Sequence, residues 1–221
     1  MSIGARSKPR LSVRRIADLP VWVLRSSDAR PLNSVVVAGR HGLILINTGP
    51  SAKHGRAISR QIADLTGDPV TTIIYPHHPT ADCRGTSAFA DHHDARLGKV
   101  VILASGRQAD GHTDVAPNLV IDRECVLNLS GVTLRLLPAA VGSVGATNIY
   151  LPEHRVAMIA DEPRMWARPL RQTTTTPFTH AVGWFMRLRV DHLLGSHMLP
   201  LSGPEVNLVL RGYLDQPPVR P

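Results

Sequence analysis

The sequence has few cysteines, few aromatic residues and no long apolar run, and each shortage excludes a class of protein. Cys83 and Cys125 are its only cysteines, so a framework of several disulfides does not hold the chain together. No apolar stretch approaches the ~18 residues that a membrane-spanning helix needs. Aromatic residues make up 4%, yet 43% of the 221 residues are hydrophobic. This composition and length predict one folded domain with a substantial core rather than a disordered chain.

Lysine is also scarce, so arginine supplies most of the formal net charge of +8. The basic residues are dispersed apart from a group near the N-terminus, and they do not alternate with the aromatic side chains on which single-stranded nucleic acids stack. Nucleic-acid binding is therefore not predicted, and the basic group is interpreted as a flexible arm over 1–19. The arm lacks the apolar segment of a secretory signal, so the expected location is the cytoplasm.

The order of the predicted elements favours two mixed sheets over one parallel sheet. Strands are predicted over 21–24, 34–37, 42–47, 70–75, 99–103, 125–129, 132–136, 147–151 and 156–160, and helices over 51–65, 181–187 and 204–214. Most strands of the second half follow one another without a helix, whereas a doubly wound parallel sheet needs a helix between most strands. The pattern predicts one domain over 20–215, loops over 107–118 and 164–179, and a frayed tail over 216–221.

Side chains that can bind a metal concentrate in one loop after the strand over 70–75. The loop over 75–85 has the sequence YPHHPTADCRG, which includes His77, His78, Asp82 and Cys83. Two further donors come later in the chain: Asp161 directly follows the predicted strand over 156–160, and His197 lies shortly after the segment over 190–194. Imidazole, carboxylate and thiolate are the usual ligands of zinc in proteins.

Several segments, in the same order along the chain, resemble the metallo-β-lactamase superfamily, and its alkylsulfatase-like branch above all. They are GLILINTG over 42–49, VTTIIY with the polar loop after it, LPEHRV over 151–156, Ala160-Asp161, and Ser196-His197. The resemblance extends from about Val21 to Gly203. It implies an α/β fold of the four-layer αββα sandwich type, in which two mixed β-sheets are flanked by helices.

The family's metal site depends on a His-x-His-x-Asp-His loop, and this chain departs from that pattern. Asp82 matches the aspartate, but Thr80 and Cys83 stand at the second and last histidine positions, and either His77 or His78 takes the first. The segment over 141–145 also lacks the carboxylate or imidazole that the family places there. The resemblance therefore implies a degenerate metal-binding motif.

The donors that remain imply one metal ion rather than two. The predicted ligands are His78, Asp82, Cys83, Asp161 and His197, of which the last four form a mixed oxygen, sulfur and nitrogen set that suits one tetrahedral Zn²⁺. Iron is compatible with the same ligand types, and a metal-free protein is the alternative. Two catalytic residues are predicted, namely Asp161 as a general base and Arg84 as the group that holds an anionic sulfate or carboxylate.

Two functions follow from these residues. The first is a metal-dependent hydrolase of an ester or sulfate ester, whose partner is a small and anionic substrate. The second is a superfamily member that has lost the dinuclear chemistry and serves as a non-hydrolytic biosynthetic enzyme or as a binding or structural protein. Structural roles are open for Cys83 as a small buried side chain and for Asp82 as a turn or capping residue. A homodimer is left open.

Overall fold

Two β-sheets of seven and six strands form the framework of the chain within residues 9–27, 31–77, 82–106, 114–138, 146–160 and 176–214, which the computed structural model describes. The seven-stranded sheet contains, in spatial order, β1 (Leu11–Arg15), β2 (Val21–Ser26), β3 (Asn33–Gly39), β4 (Gly42–Ile46), β5 (Val70–Ile74), β6 (Val101–Ser105) and β7 (Leu119–Ile121). Strands β1 to β4 pair antiparallel, and β4 to β7 pair parallel. The sheet is therefore mixed, as predicted.

The six-stranded sheet is built from the second half of the chain. Its strands are β8 (Cys125–Leu129), β9 (Val132–Pro138), β10 (Thr147–Leu151), β11 (Val156–Ile159), β12 (His192–Gly195) and β13 (Leu201–Ser202), and their spatial order is the reverse of their sequence order. Only the β11–β12 pair is parallel among the strands of this sheet that the structure describes. Short turns suffice for the antiparallel neighbours, which explains why the sequence shows no helices between them.

Helices cover the outer faces of both sheets. They are α1 (Ala52–Leu65), a 3₁₀ helix (Thr86–Ala88), α2 (His92–Arg96), α3 (Thr176–Met186) and α4 (Pro204–Leu214). Ile58 and Ile62 of α1 pack on the first sheet, and Val206 and Leu210 of α4 pack on the second. The four-layer αββα sandwich with two mixed sheets is thereby confirmed. None of the helices in the described segments combines the length and apolar character needed to span a lipid bilayer.

The core between the two sheets is aliphatic, which compensates for the low aromatic content. Val35, Ile44 and Ile46 of the first sheet face Leu134 and Ile149 of the second in one cluster, and all are at most 1% exposed. Burial of each such side chain contributes roughly 1.5–3 kcal/mol. Successive residues of β4 alternate between this cluster and the one beneath α1, as the period of two in a strand requires.

Several segments differ from the prediction. Residues 11–15, assigned to a flexible arm, form the edge strand β1, which pairs with β2 although four of its five side chains are exposed and two of them, Arg14 and Arg15, are basic. Charged side chains on an edge strand discourage pairing with other molecules, but they hide the strand from hydrophobic pattern analysis. The three-residue β7 was not predicted, and α3 begins at residue 176, inside the predicted loop over 164–179. Pro177 is compatible with that start because the first helical turn needs no N–H from it.

Candidate active site

The carboxyl ends of strands from both sheets meet at one edge of the sandwich. Asn47 follows β4, His77 follows β5, and Ser196 follows β12. The Ser196 hydroxyl lies 2.9 Å from His77 Nε2 and accepts a hydrogen bond from Asn47 Nδ2 at 3.1 Å. These contacts join the two sheets next to the segments that contain the predicted metal-binding residues.

Asp82 and His197 are brought together at this edge. Their side chains are 23% and 25% exposed, and Asp82 Oδ2 lies 3.8 Å from His197 Nε2. The other ring nitrogen of His197, Nδ1, lies 2.9 Å from the carbonyl oxygen of Pro31. Because a carbonyl only accepts hydrogen bonds, Nδ1 carries a proton and donates it to Pro31. The ring is thereby oriented with Nε2 toward the carboxylate.

The orientation of His197 favours a positive charge next to Asp82. In a neutral imidazole with its proton on Nδ1, Nε2 presents a lone pair to the carboxylate oxygen. A proton on Nε2 or a cation bound by both side chains would complement two acceptors placed in this way. The geometry therefore suits either an imidazolium–carboxylate pair or a metal ion bound by both side chains.

Cys83 lies next to Asp82 in sequence, but its side chain points into the interior. It is 1% exposed and packs in an apolar cluster with Ile73, Tyr75 and Val100. Burial raises the pKa of the Cys83 thiol strongly, and the charge of Asp82 raises it further, although a hydrogen bond with the backbone of Thr48 acts in the opposite direction. This environment stabilises the neutral thiol rather than the thiolate that binds metals.

Arg84 follows on the outer side of the same turn. It is exposed, and the 3₁₀ helix Thr86–Ala88 begins two residues later. This helix is a single short turn. Arg84 directly follows Cys83 in the sequence. Because its side chain is exposed, a ligand approaching from the solvent can reach it.

The other predicted site residues, His78 and Asp161, lie outside the described residues. Asp161 comes two positions after Ile159, which pairs with Gly195 two positions before His197 in the parallel β11–β12 ladder. Within the described ranges, no group of three or more His, Cys, Asp and Glu side chains is placed to hold a metal ion. The described part of the predicted ligand set therefore reduces to the Asp82–His197 pair.

Sequence reasoning missed two buried asparagine side chains that bind the residues next to His197. Asn33 and Asn47 are 1% and 0% exposed, and Asn47 has a positive φ of 63°. The Asn47 side chain donates to the backbone oxygen of Asn33 at 2.9 Å as well as to Ser196. The sequence offers one signal, an asparagine directly after the apolar run of β4, because asparagine tolerates the left-handed conformation that ends a strand sharply.

Comparisons with known proteins support the fold. No family model and no curated protein matches the sequence. Solved structures do match: the stereoselective inverting sec-alkylsulfatase Pisa1 from Pseudomonas sp. has a TM-score of 0.70 at 20% identity, over 89% of this chain and 40% of that one. A metallo-β-lactamase from Pontibacter korlensis has a TM-score of 0.70 at 17% identity, over 94% and 100% of the two chains.

A mutant of the flavo di-iron protein from Thermotoga maritima also matches, with a TM-score of 0.68 at 16% identity, over 94% of this chain and 61% of that one. The chain thus spans about two fifths of the alkylsulfatase and the whole length of the Pontibacter protein. The resemblance seen in the sequence is confirmed in the fold, which is that of the metallo-β-lactamases.

Proposed function

We propose that this protein is a metal-dependent hydrolase that cleaves a small anionic ester or sulfate ester at the Asp82–His197 pair. The observation that carries the proposal is the 3.8 Å approach of Asp82 Oδ2 to His197 Nε2, with the ring held by its Nδ1 hydrogen bond to Pro31. A backbone carbonyl bonded to one imidazole nitrogen is the arrangement that orients metal-binding histidines in proteins.

One divalent ion fits the chemistry and spacing of this pair. Oxygen and nitrogen ligands bind zinc at about 2.0–2.2 Å, which puts two donors on one tetrahedral ion ~3.4 Å apart. The observed 3.8 Å is within a few tenths of an ångström of that separation. We propose Asp161 as a further ligand, because it follows β11 and the neighbouring parallel strand β12 leads to His197. Zinc suits such a set, and iron is the second candidate.

The bound ion would polarise the scissile group and lower the pKa of a bound water. The residues of the chain perform the other tasks. Arg84 binds the anionic group of the substrate through charge-assisted hydrogen bonds from its exposed guanidinium. Asp161, where it is not bound to the ion, takes the proton of the attacking water. Pro31 keeps the His197 proton on Nδ1, which leaves Nε2 for the ion.

A second candidate function is a metal-free protein that uses the fold for binding or for non-hydrolytic chemistry. The burial of the Cys83 thiol in an apolar cluster favours it, because that position is a histidine in the resembling family and is here a thiol packed among apolar side chains. In this case Asp82 and His197 contact each other without an ion between them.

The test compares the metal content of four proteins purified without chelator: wild type, Asp82→Asn, His197→Gln and His192→Gln. His192 lies at the opposite end of β12 and serves as the matched control. We expect about one equivalent of metal in wild type and His192→Gln, and strong loss in the two site variants. Hydrolysis of a panel of esters and sulfate esters should fall in parallel. Metal-free and inactive wild-type protein would establish the second candidate instead.

A further inference from the structure

The Asn33 residue at the start of β3 is hydrogen-bonded on both sides of His197. Its side-chain Nδ2 donates to the carbonyl oxygens of Gly195 and Met198, each at 2.7 Å. Its backbone N–H donates to the carbonyl oxygen of Ser196, also at 2.7 Å. One buried residue therefore binds the backbone immediately before and immediately after the histidine.

Arg25 on the neighbouring strand β2 completes this arrangement. Its Nη1 lies 2.8 Å from Asn33 Oδ1, which fixes the orientation of the amide, and 3.0 Å from the carbonyl oxygen of His197. Since an amide oxygen accepts and the guanidinium only donates, Asn33 must direct its NH₂ group toward the Gly195 and Met198 carbonyls. Both polar ends of the amide are thus used.

Two residues of the segment over 31–33 hold His197, one through its ring and the other through the backbone around it. Pro31 accepts the hydrogen bond of the imidazole Nδ1, and Asn33, two residues later, holds the backbone around it. Without these hydrogen bonds, the loop between β12 and β13 would be more mobile, and its ligand-binding side chain would have to lose conformational freedom on binding. Fixing the backbone and the ring from the same segment keeps Nε2 aimed at Asp82.

We infer that Asn33 is a positioning residue, one that orders the loop after β12 so that His197 faces Asp82. The consequence of this role is a metal-binding pair that is already in place before the ion binds, and this consequence rests on the proposed function. The amide is required chemically, because an aspartate at this buried position has no NH₂ group to donate and would face two carbonyl oxygens. Outer partners of metal ligands typically contribute 10–100-fold to metal affinity.

The experiment compares Asn33→Ala with Asn118→Ala. Asn118 is a matched control because its side chain also makes three hydrogen bonds, to Ile102 N, Ala95 O and Val100 O, and these lie on β6 and around α2. Zinc affinity is measured by competition with a chromophoric chelator. We expect Asn33→Ala to bind zinc about 10–100-fold more weakly than wild type, and Asn118→Ala to match wild type.

A second readout needs no metal. Long-range ¹H–¹⁵N spectra of the histidine rings report which nitrogen carries the proton, and the His197→Gln variant assigns the His197 signal. We expect Nδ1 to be protonated in wild type and Asn118→Ala, whether or not Nε2 also carries a proton, and only partly protonated in Asn33→Ala. If Asn33→Ala does not fold, Asn33→Ser takes its place, since a hydroxyl is too short to reach both carbonyls.

The two readouts separate the inference from the proposed function. Wild-type protein that binds no zinc, with a His197 tautomer that changes only in the Asn33 variant, would overturn the proposed function and leave the positioning role standing. A His197 signal that stays in the Nδ1–H form in both Asn variants would overturn the inference, whatever the zinc affinity.

Discussion

Gly55 in α1 and Gly85 in the turn after Cys83 touch through their backbones, so that a Cβ added to Gly55 would lie 2.2 Å from the Gly85 carbonyl oxygen. On its other side, a Cβ on Gly85 would lie 2.1 Å from the carbonyl oxygen of Thr48. The turn that contains Asp82 is therefore held directly between α1 and the end of β4, and no larger residue fits at either glycine.

This contact predicts a large effect of Gly55→Ala. The added methyl group meets backbone rather than a movable side chain, so we expect a loss of about 1–3 kcal/mol in the free energy of unfolding. The turn that carries Asp82 would also shift, and metal retention should fall. Urea denaturation and metal analysis measure the two effects.

Gly212→Ala is the control for that substitution. Gly212 is exposed in α4, and a Cβ there would meet no atom within 4 Å. Alanine is the better helix former, so we expect a gain of up to about 1 kcal/mol. A Gly55→Ala protein as stable as wild type would show that the turn adjusts freely.

The parts of the fold that depend on local signals could be predicted from the sequence. The short apolar runs over 34–37 and 42–47 predicted the two strands of the β3–β4 hairpin, and the helical pattern over 51–65 predicted α1, which Ser51 caps by accepting a hydrogen bond from the His54 N–H. Asp82 and His197 could be chosen by residue type and by resemblance. The distance between the Asp82 and His197 side chains and the hydrogen bonds from Asn33 could not be predicted. A buried asparagine and a loop asparagine look the same in a sequence.

The two cysteines should differ in reactivity. Cys83 is 1% exposed and its pKa is raised mainly by burial, whereas Cys125 is partly exposed on β8 with a pKa that burial also raises. We expect one thiol equivalent to react with a disulfide reagent in the native protein, and the second only in denaturant. Cys125→Ser should abolish the native reaction. If removing the metal made Cys83 reactive, that residue would be a ligand after all.

Glu124 should make stability depend on acid pH. Its carboxylate accepts hydrogen bonds from Trp184 Nε1 at 2.9 Å and Arg135 Nη2 at 3.0 Å, and these bonds, the one from Trp184 first, lower the pKa of Glu124 below its ordinary value of 4.5. The unfolded chain then takes up the proton before the folded one does. The stabilisation is present above pH 4.5 and is lost as the pH falls through the lowered value.

The corresponding variant is Glu124→Gln, which keeps an acceptor for the Trp184 indole and removes the charge. We expect its Tm to lie below that of wild type at pH 7, and the gap to close as the pH approaches 3. Thermal unfolding followed by circular dichroism across that range measures it. A gap of constant size would mean that the charge of Glu124 contributes nothing.

Arg84 should discriminate between charged and neutral substrates. A charge-assisted hydrogen bond to an anionic group contributes more than about 1.4 kcal/mol when it is shielded from water. Exposure of the Arg84 guanidinium reduces this contribution. We therefore expect Arg84→Gln to raise KM for a sulfate ester about tenfold. The kcat should change little, because the bond exists before and during the reaction. A neutral ester of the same size should show neither effect.

Arg60→Gln, exposed on α1, is the control for the loss of one positive charge. Equal effects of both variants, fading with added salt, would reveal general attraction by the basic surface and not a specific contact.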